Sequence, residues 1–277
     1  MNNRVWFITG CTSGFGNILC KQLLARGELV VATARAPEKL EALRELAQTP
    51  NQLLILKLDV TKNDEIKTAV AETLKKFGRI DVLINNAGYG ATGALEEVSE
   101  VEIRRNFETN VFGLFEVTRA ILPTMRAQKS GHIINLSSVA GMVAKPGAGV
   151  YAATKFAVEG MSEALSGELA PYHIKVSLIE PGGFRTNFAG SALSVAPPMK
   201  EYDESLAKIR EMYATISGHQ PGDPEKAVTA MMDLVDHAHP PFRLPMGKIA
   251  LASIRAKLAQ YEKEMKEWEK IIEGTDY

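Results

Sequence analysis

Cysteine is scarce in this chain. Cys11 and Cys20 are the only two among 277 residues, which excludes a disulfide framework and a cysteine-built metal site. An excess of one charge is lacking too: 32 Lys and Arg face 33 Asp and Glu, for a formal net charge of −1. Nothing therefore draws the chain electrostatically to nucleic acid or to an anionic membrane. No apolar run is long enough to span a bilayer. The chain passes from Met1-Asn2-Asn3-Arg4 straight into a short apolar run, leaving no room for a signal peptide. The five histidines form no ligand set: His219, His237 and His239 fall near loop or helix ends, and His132 and His173 border strands. There is no repeat, low-complexity tract or clear domain boundary. These absences predict one metal-free domain over residues 1–277, in a reduced, cytoplasmic compartment. The 45% hydrophobic and 23% charged residues fit an ordinary globular protein.

What is present is an alternation of strands and helices. Arg4 to Thr9 is a nearly continuous apolar run, as expected of a buried parallel strand. Gly10-Cys11-Thr12-Ser13-Gly14-Phe15-Gly16 follows, and an amphipathic helix is predicted from about Asn17 to Arg26. A strand, a glycine-rich turn and a helix make an anion site, because free N–H groups and the helix dipole face a phosphate. The spacing is Gly-x-x-x-Gly-x-Gly rather than the commoner Gly-x-Gly-x-x-Gly. Further strands are predicted over 29–34, 53–58, 82–85, 132–136 and 175–179, with a short last one at 242–244. Helices are expected over 37–47, 63–77, 100–128, the segment from Tyr151 to about Leu169, and onward from Pro224. The repeated strand–helix order predicts an α/β fold with a doubly wound parallel sheet and helices on both faces. Ligands of such sheets bind beyond the carboxyl ends of the strands. Gly10, Arg35, Asp59 and Asn86 all fall there. An acidic residue at the end of the second strand selects NAD, whereas Arg35 suits the 2′-phosphate of NADP(H). NADP(H) is therefore the preferred cofactor, with NAD(H) still possible because no second basic residue is nearby.

Tyr151 and Lys155 stand four apart on a predicted helix, so phenol and ammonium share a face. A neighbouring ammonium favours phenolate, and is expected to lower the Tyr151 pKa towards neutrality. That would make a proton donor and acceptor for a hydroxyl/carbonyl interconversion. Asn110 lies inside the long helix over 100–128, where Asn is a mediocre helix former. Residues 187–222 are a loose insertion on the ligand side, read as a substrate lid with a polar helix around Glu201 to Ser217. Over 248–272, Leu251, Ile254, Leu258, Tyr261, Met265 and Trp268 recur at three- and four-residue intervals, a stripe for packing on this domain or on another subunit. Met199, Met212, Met231, Met232 and Met246 offer either core packing or an adaptable apolar pocket.

Taken together, these residues resemble the short-chain dehydrogenase/reductase superfamily in its compact single-domain, Rossmann-like form. The motifs that carry the resemblance occur in order: Thr9 to Gly16, Asn85-Asn86-Ala87-Gly88, Asn110, Ser138, Tyr151-Ala152-Ala153-Thr154-Lys155 and Pro181-Gly182. Ser138 precedes Tyr151 by thirteen residues, the interval expected in the family. The likeness runs from about Val5 to Thr186 and loosens beyond, where the chain is similar to relatives that reduce ketosteroids, retinoids and other lipophilic carbonyls. Cys11 departs from the small residue usual at its position.

The resemblance implies roles. Tyr151 would be the general acid/base, Lys155 would hold the nicotinamide ribose and tune the tyrosine, and Ser138 would hydrogen-bond the substrate oxygen. Asn110 would maintain a helix interruption and a water linked to Lys155. Gly10, Thr12, Ser13, Gly14, Phe15 and Gly16 would meet the phosphates and adenosine ribose, and Arg35 the 2′-phosphate. Asp59 and Val60 would flank the adenine; Asn86, Ala87 and Gly88 would line the ribose. Pro181, Gly182, Phe184 and Thr186 would meet the nicotinamide. A homo-oligomer, dimer or tetramer, is implied, built on the helices around Asn110 and Tyr151. The expected function is an NADP(H)-dependent carbonyl reductase or alcohol dehydrogenase acting on a small lipophilic molecule. The alternatives are an NADP-sensing regulator on the same fold and, further off, a sugar-nucleotide epimerase.

Overall fold

A computed structural model describes residues 3–277; Met1 and Asn2, counted above in the domain and its start, lie outside the described residues. At the centre is β1 (Val5–Ile8), fully buried because both sheet faces are covered. Its side chains alternate between two layers. Trp6 and Ile8 pack with Leu19, Cys20 and Leu23 of α1 (Gly14–Arg26) and with Val228, Met231 and Val235 of α7 (Pro224–Asp236). Val5 and Phe7 pack on the other face, with Ile66 and Val70 of α2 (Asn63–Phe77) and Val117, Ile121 and Met125 of α4 (Leu114–Gln128). Burying each of these large side chains contributes about 1.5–3 kcal/mol.

Seven strands form one sheet. With β2 (Leu29–Ala34), β3 (Leu53–Lys57), β4 (Val82–Asn85), β6 (Gly131–Leu136), β7 (Ile174–Pro181) and β9 (Arg243–Met246), the order is β3-β2-β1-β4-β6-β7-β9. Every pairing in it is parallel. The order reverses between β1 and β4, and that is where a crevice opens at the carboxyl edge. No helix among the described residues is long and apolar enough to cross a membrane.

Several elements differ from expectation for local reasons. α1 begins at Gly14, three residues early, because the last glycines of the turn already form its first turn. Residues Pro37–Leu46 are 3₁₀ rather than α-helical, with Leu40 and Leu43 buried at the three-residue spacing that this helix eclipses. The long helix over 100–128 is two: α3 (Glu100–Phe107) and α4, joined through a π turn at Glu108–Gly113 that contains Asn110. α5 (Gly149–Leu169) carries Tyr151 and Lys155.

A second, small parallel sheet pairs β5 (Gly90–Thr92) with β8 (Leu193–Val195), so the 187–222 insertion is stitched to the body. Its helix α6 (Asp203–Thr215) is fastened through Arg210, which pairs with the buried Glu97 carboxylate. Glu97 also accepts the backbone N–H groups of Ala94 (2.7 Å) and Met199 (2.8 Å). Met231, Met232 and Met246 are core residues, whereas Met212 is exposed. The last helix, α8 (Lys248–Glu273), has the expected extent. Its stripe packs on its own domain only at Ile254, beside the buried Ala250; Leu251, Leu258, Tyr261, Met265 and Trp268 are exposed.

Candidate active site

The strand order lines up the singled-out residues along one edge. Following β3, β2, β1, β4, β6 and β7 in turn come Asp59, Arg35, Gly10, Asn86, Ser138 and Gly182. An extended ligand could therefore touch the site from end to end.

The glycine turn fits a phosphate. Gly10 has φ +73°, and a Cβ there would stand 2.9 Å from Ala87 Cα; a Cβ on Gly16 would lie 2.6 Å from both Gly10 O and Asn86 Nδ2. Ser13 precedes α1 in an extended conformation, and its side chain does not cap the helix. No acidic residue occupies the first turn. The N–H groups of Gly14, Phe15 and Gly16 are thus first-turn donors without intrahelical partners, at the positive end of the dipole. Thr12 and Ser13 are exposed beside them, and Thr186 lies against Gly14. These residues suit the pyrophosphate of a dinucleotide. The Phe15 ring packs edge-on against Phe184 at 5.4 Å, which leaves its backbone N–H as the group facing the turn. Arg35 is exposed at the end of β2, where a 2′-phosphate would stand.

Other expected contacts are partly spent inside the protein. Asp59 accepts from the Thr61 backbone N–H (3.0 Å) and hydroxyl (2.8 Å), so its carboxylate caps a turn. Val60 is buried and packs beneath Gly113 of the π turn. Asn86 donates its amide to Thr9 O and Gly10 O, both at 2.9 Å, clamping the glycine turn to the end of β4. Ala87 donates to the Thr9 hydroxyl, leaving Ala87 and Gly88 as half-buried lining. Asn110 accepts from Tyr89 N (3.0 Å) and donates to Tyr89 O (2.9 Å) and Thr154 Oγ1 (3.2 Å). Its side chain thus locks α5 to the strand after β4, and the π turn is the helix interruption that the family resemblance implied.

The reacting end gathers Ser138, Tyr151 and Lys155. Ser138 caps the short 3₁₀ turn Val139–Gly141, accepting from Ala140 N (3.1 Å), and its hydroxyl lies 3.5 Å from the carbonyl of buried Pro181. Lys155 is buried with its Nζ 5.7 Å from the Tyr151 ring centroid, and it donates to Leu136 O at 2.6 Å. Burial lowers the Lys155 ammonium to about 8, against a smaller opposing pull from Glu159. Burial raises the Tyr151 phenol well above its ordinary value; Ser138 pulls it down and Tyr213 adds to the rise. This corrects the expected lowering by Lys155. Four residues apart is close enough to share a face, but burial is the largest influence on the phenol, which holds its proton firmly.

Five residues at the site carried no signal in local spacing. Phe188 lies against the Tyr151 ring (5.4 Å between centroids), and Tyr213 comes from α6, so the insertion covers the phenol. Behind Lys155, Glu159 and Glu180 form a buried acidic pair facing Arg243, whose Nε is 2.9 Å from Glu159 and 3.7 Å from Glu180. Burial, then Glu159, raises the Glu180 carboxyl to about 7.

Comparison with known proteins agrees with this geometry. The family model for short chain dehydrogenase matches residues 4–195. A solved short-chain dehydrogenase from Streptomyces avermitilis superposes with a TM-score of 0.91 at 40% identity, covering 99% of this chain and 100% of that one. The 3-ketodihydrosphingosine reductase of Bacteroides thetaiotaomicron is 37% identical over 250 residues, 90% of each chain. Two more distant solved structures were determined with a nicotinamide cofactor. A short chain dehydrogenase from Burkholderia cenocepacia is in complex with NADP (25% identity, TM-score 0.74, 96% of this chain and 97% of that one). A 3-ketoacyl-(acyl-carrier-protein) reductase from Brucella melitensis is complexed with NADH (26%, 0.73, 88% and 96%).

Proposed function

The chain belongs to the short-chain dehydrogenase family and is an oxidoreductase with a nicotinamide cofactor, and from that premise we propose that it interconverts a lipophilic ketone or aldehyde and its alcohol, with Tyr151 as general acid/base and NADP(H) preferred. The observation that carries this reading is the convergence of Ser138, Tyr151 and Lys155 beside the glycine turn, at the end of the sheet's central strands.

When bound, the nicotinamide supplies or accepts the hydride. This chain's residues do the rest. The first-turn amides of α1 hold the pyrophosphate, and Arg35 favours the 2′-phosphate. Ser138 donates to the substrate oxygen, where negative charge develops during reduction. Tyr151, kept protonated by its burial, gives its proton to that oxygen; in the reverse direction it accepts one from the alcohol. The Lys155 ammonium stabilises the phenolate left behind, a demand that arises only as the proton leaves. Phe188, lying against the Tyr151 ring, narrows the access of water to the phenol. The apolar cover, and the kinship to a reductase named for a long-chain ketone, support a lipophilic substrate.

The assay is NADPH and NADH consumption by the purified protein with aldehydes, aryl and aliphatic ketones, ketosteroids and long-chain 3-keto compounds. NADPH-linked turnover of a lipophilic ketone is the expected result. Tight NADPH binding with no turnover across the panel would overturn the catalytic reading and favour an NADP-sensing regulator. A homo-oligomer and a cytoplasmic location belong to the same proposal, by family resemblance and composition.

A further inference from the structure

α8 leaves the body after Ile254, the last buried residue of the chain, and every residue from 255 to 277 is exposed. Residues 255–273 alone make roughly 28 Å of projecting helix at 1.5 Å per residue. Isolated helices of this length are marginal in water and are normally held by packing of an apolar face. Such a face is present and uncovered. Leu258, Tyr261, Met265, Trp268 and Ile272 are 38% to 58% exposed.

Their spacing identifies the kind of partner. Leu251, Ile254, Leu258, Tyr261, Met265, Trp268 and Ile272 alternate intervals of three and four without a break. That is a seven-residue repeat over three heptads, the signature of a helix-to-helix seam. The residues flanking the seam are Arg255, Glu262 and Glu269 on one side and Lys257, Glu264 and Ile271 on the other. If two copies of α8 run antiparallel about Tyr261, Arg255 meets Glu269 and Lys257 meets Glu264, each twice by symmetry. One repulsive contact, Glu262 with its own copy, remains at the axis. A parallel pair would set Lys257 against Glu262 twice but Glu264 against Glu269 twice, with no net gain. The antiparallel arrangement also keeps the two bodies at opposite ends of the seam.

A lipid surface fits less well. From 255 to 273 there are five basic and five acidic residues, so anionic headgroups gain nothing overall. Lys263, Lys266 and Lys270 sit away from the seam, where they pair with Glu on their own helix or face water, while Glu262, Glu264 and Glu269 border the apolar face. An interfacial helix needs the opposite distribution.

We propose that α8 is a self-association arm, which pairs antiparallel with α8 of a second copy of this chain through the exposed seam residues Leu251 and Leu258 to Ile272, Ile254 being held in its own body. The arm is distant in sequence from the Asn110 and Tyr151 helices and independent of the reaction.

The test is sedimentation velocity of the full chain against the double variant Leu258→Glu, Met265→Glu. Both positions are exposed in the single chain, and an unchanged thermal midpoint verifies the fold. The particle mass should halve in the variant; an unchanged mass overturns the proposal. Orientation is read by oxidative cross-linking, since Cys11 and Cys20 are wholly buried and an introduced thiol is the accessible one. An equimolar mixture of Leu251→Cys and Ile272→Cys proteins should cross-link to each other, with little product from Ile272→Cys alone. Efficient cross-linking of Ile272→Cys alone would mean a parallel pair and overturn the assignment. Co-sedimentation with vesicles of phosphatidylcholine and phosphatidylserine, lost in the double variant while the mass stays constant, would assign the face to a membrane instead.

Discussion

Replacing Glu180 by Gln should stabilise the protein above neutral pH and leave it unchanged in acid. Glu180 ends β7, is 1% exposed, and faces the Glu159 carboxylate with Arg243 3.7 Å away. Burial and Glu159 raise its pKa from 4.5 to about 7, against the weaker pull of Arg243. The folded protein therefore keeps a proton that the unfolded chain releases between these values. Stability from this group is whole below about pH 4.5 and is lost as pH rises through 7. A rise of this size corresponds to about 3 kcal/mol. Gln cannot ionise, so the variant should equal the wild type near pH 4.5 and exceed it by about 2–3 kcal/mol at pH 8. A single pH curve would hide this. Burial lowers His132 from 6.5 to about 4, so that group makes stability rise with pH over much of the same range. The difference between variant and wild type removes the His132 contribution. Urea unfolding at a series of pH values, followed by fluorescence of the buried Trp6, supplies that difference. A gap that does not change with pH would refute the account of the acidic pair.

Two further outcomes follow from the cofactor edge. Arg35→Asp should lower the ratio of kcat/KM for NADPH over NADH by about 10–100-fold, the worth of one charged hydrogen bond; an unchanged ratio would remove Arg35 from the 2′-phosphate. Gly16→Ala puts a methyl 2.6 Å from Gly10 O and Asn86 Nδ2, and should cost about 1–3 kcal/mol of stability together with dinucleotide affinity measured by calorimetry. Wild-type values for both would show that the turn tolerates opening.

The parts of this site that were legible in sequence are those whose chemistry is local. The glycine turn is recognisable because only a strand, glycines and a helix start make such a cradle, and Tyr151 and Lys155 meet because one helical turn brings them together. The seven-stranded sheet followed from strand–helix alternation, with its order fixed by the crossovers. What escaped depends on distant partners. β5 and β8 are about a hundred residues apart and only three residues long each, too short for a pattern. Glu159, Glu180 and Arg243 come from three elements and look like solvated charges until folded together. The π turn at Asn110 replaces an apparently continuous helix because Asn110 is drawn inward to Tyr89 and Thr154. The sense of the Tyr151 shift was missed because spacing reports the ammonium but not the burial.

In the proposed reaction Tyr151 exchanges the proton of a carbonyl reduction. The most direct measurement is NADPH oxidation by wild type and Tyr151→Phe with the best ketone of the panel, beside NADPH affinity for each. NADPH affinity should be unchanged and turnover lower by orders of magnitude, of which general acid catalysis alone supplies about 10²–10⁴-fold. Near-normal turnover in Tyr151→Phe would contradict that role.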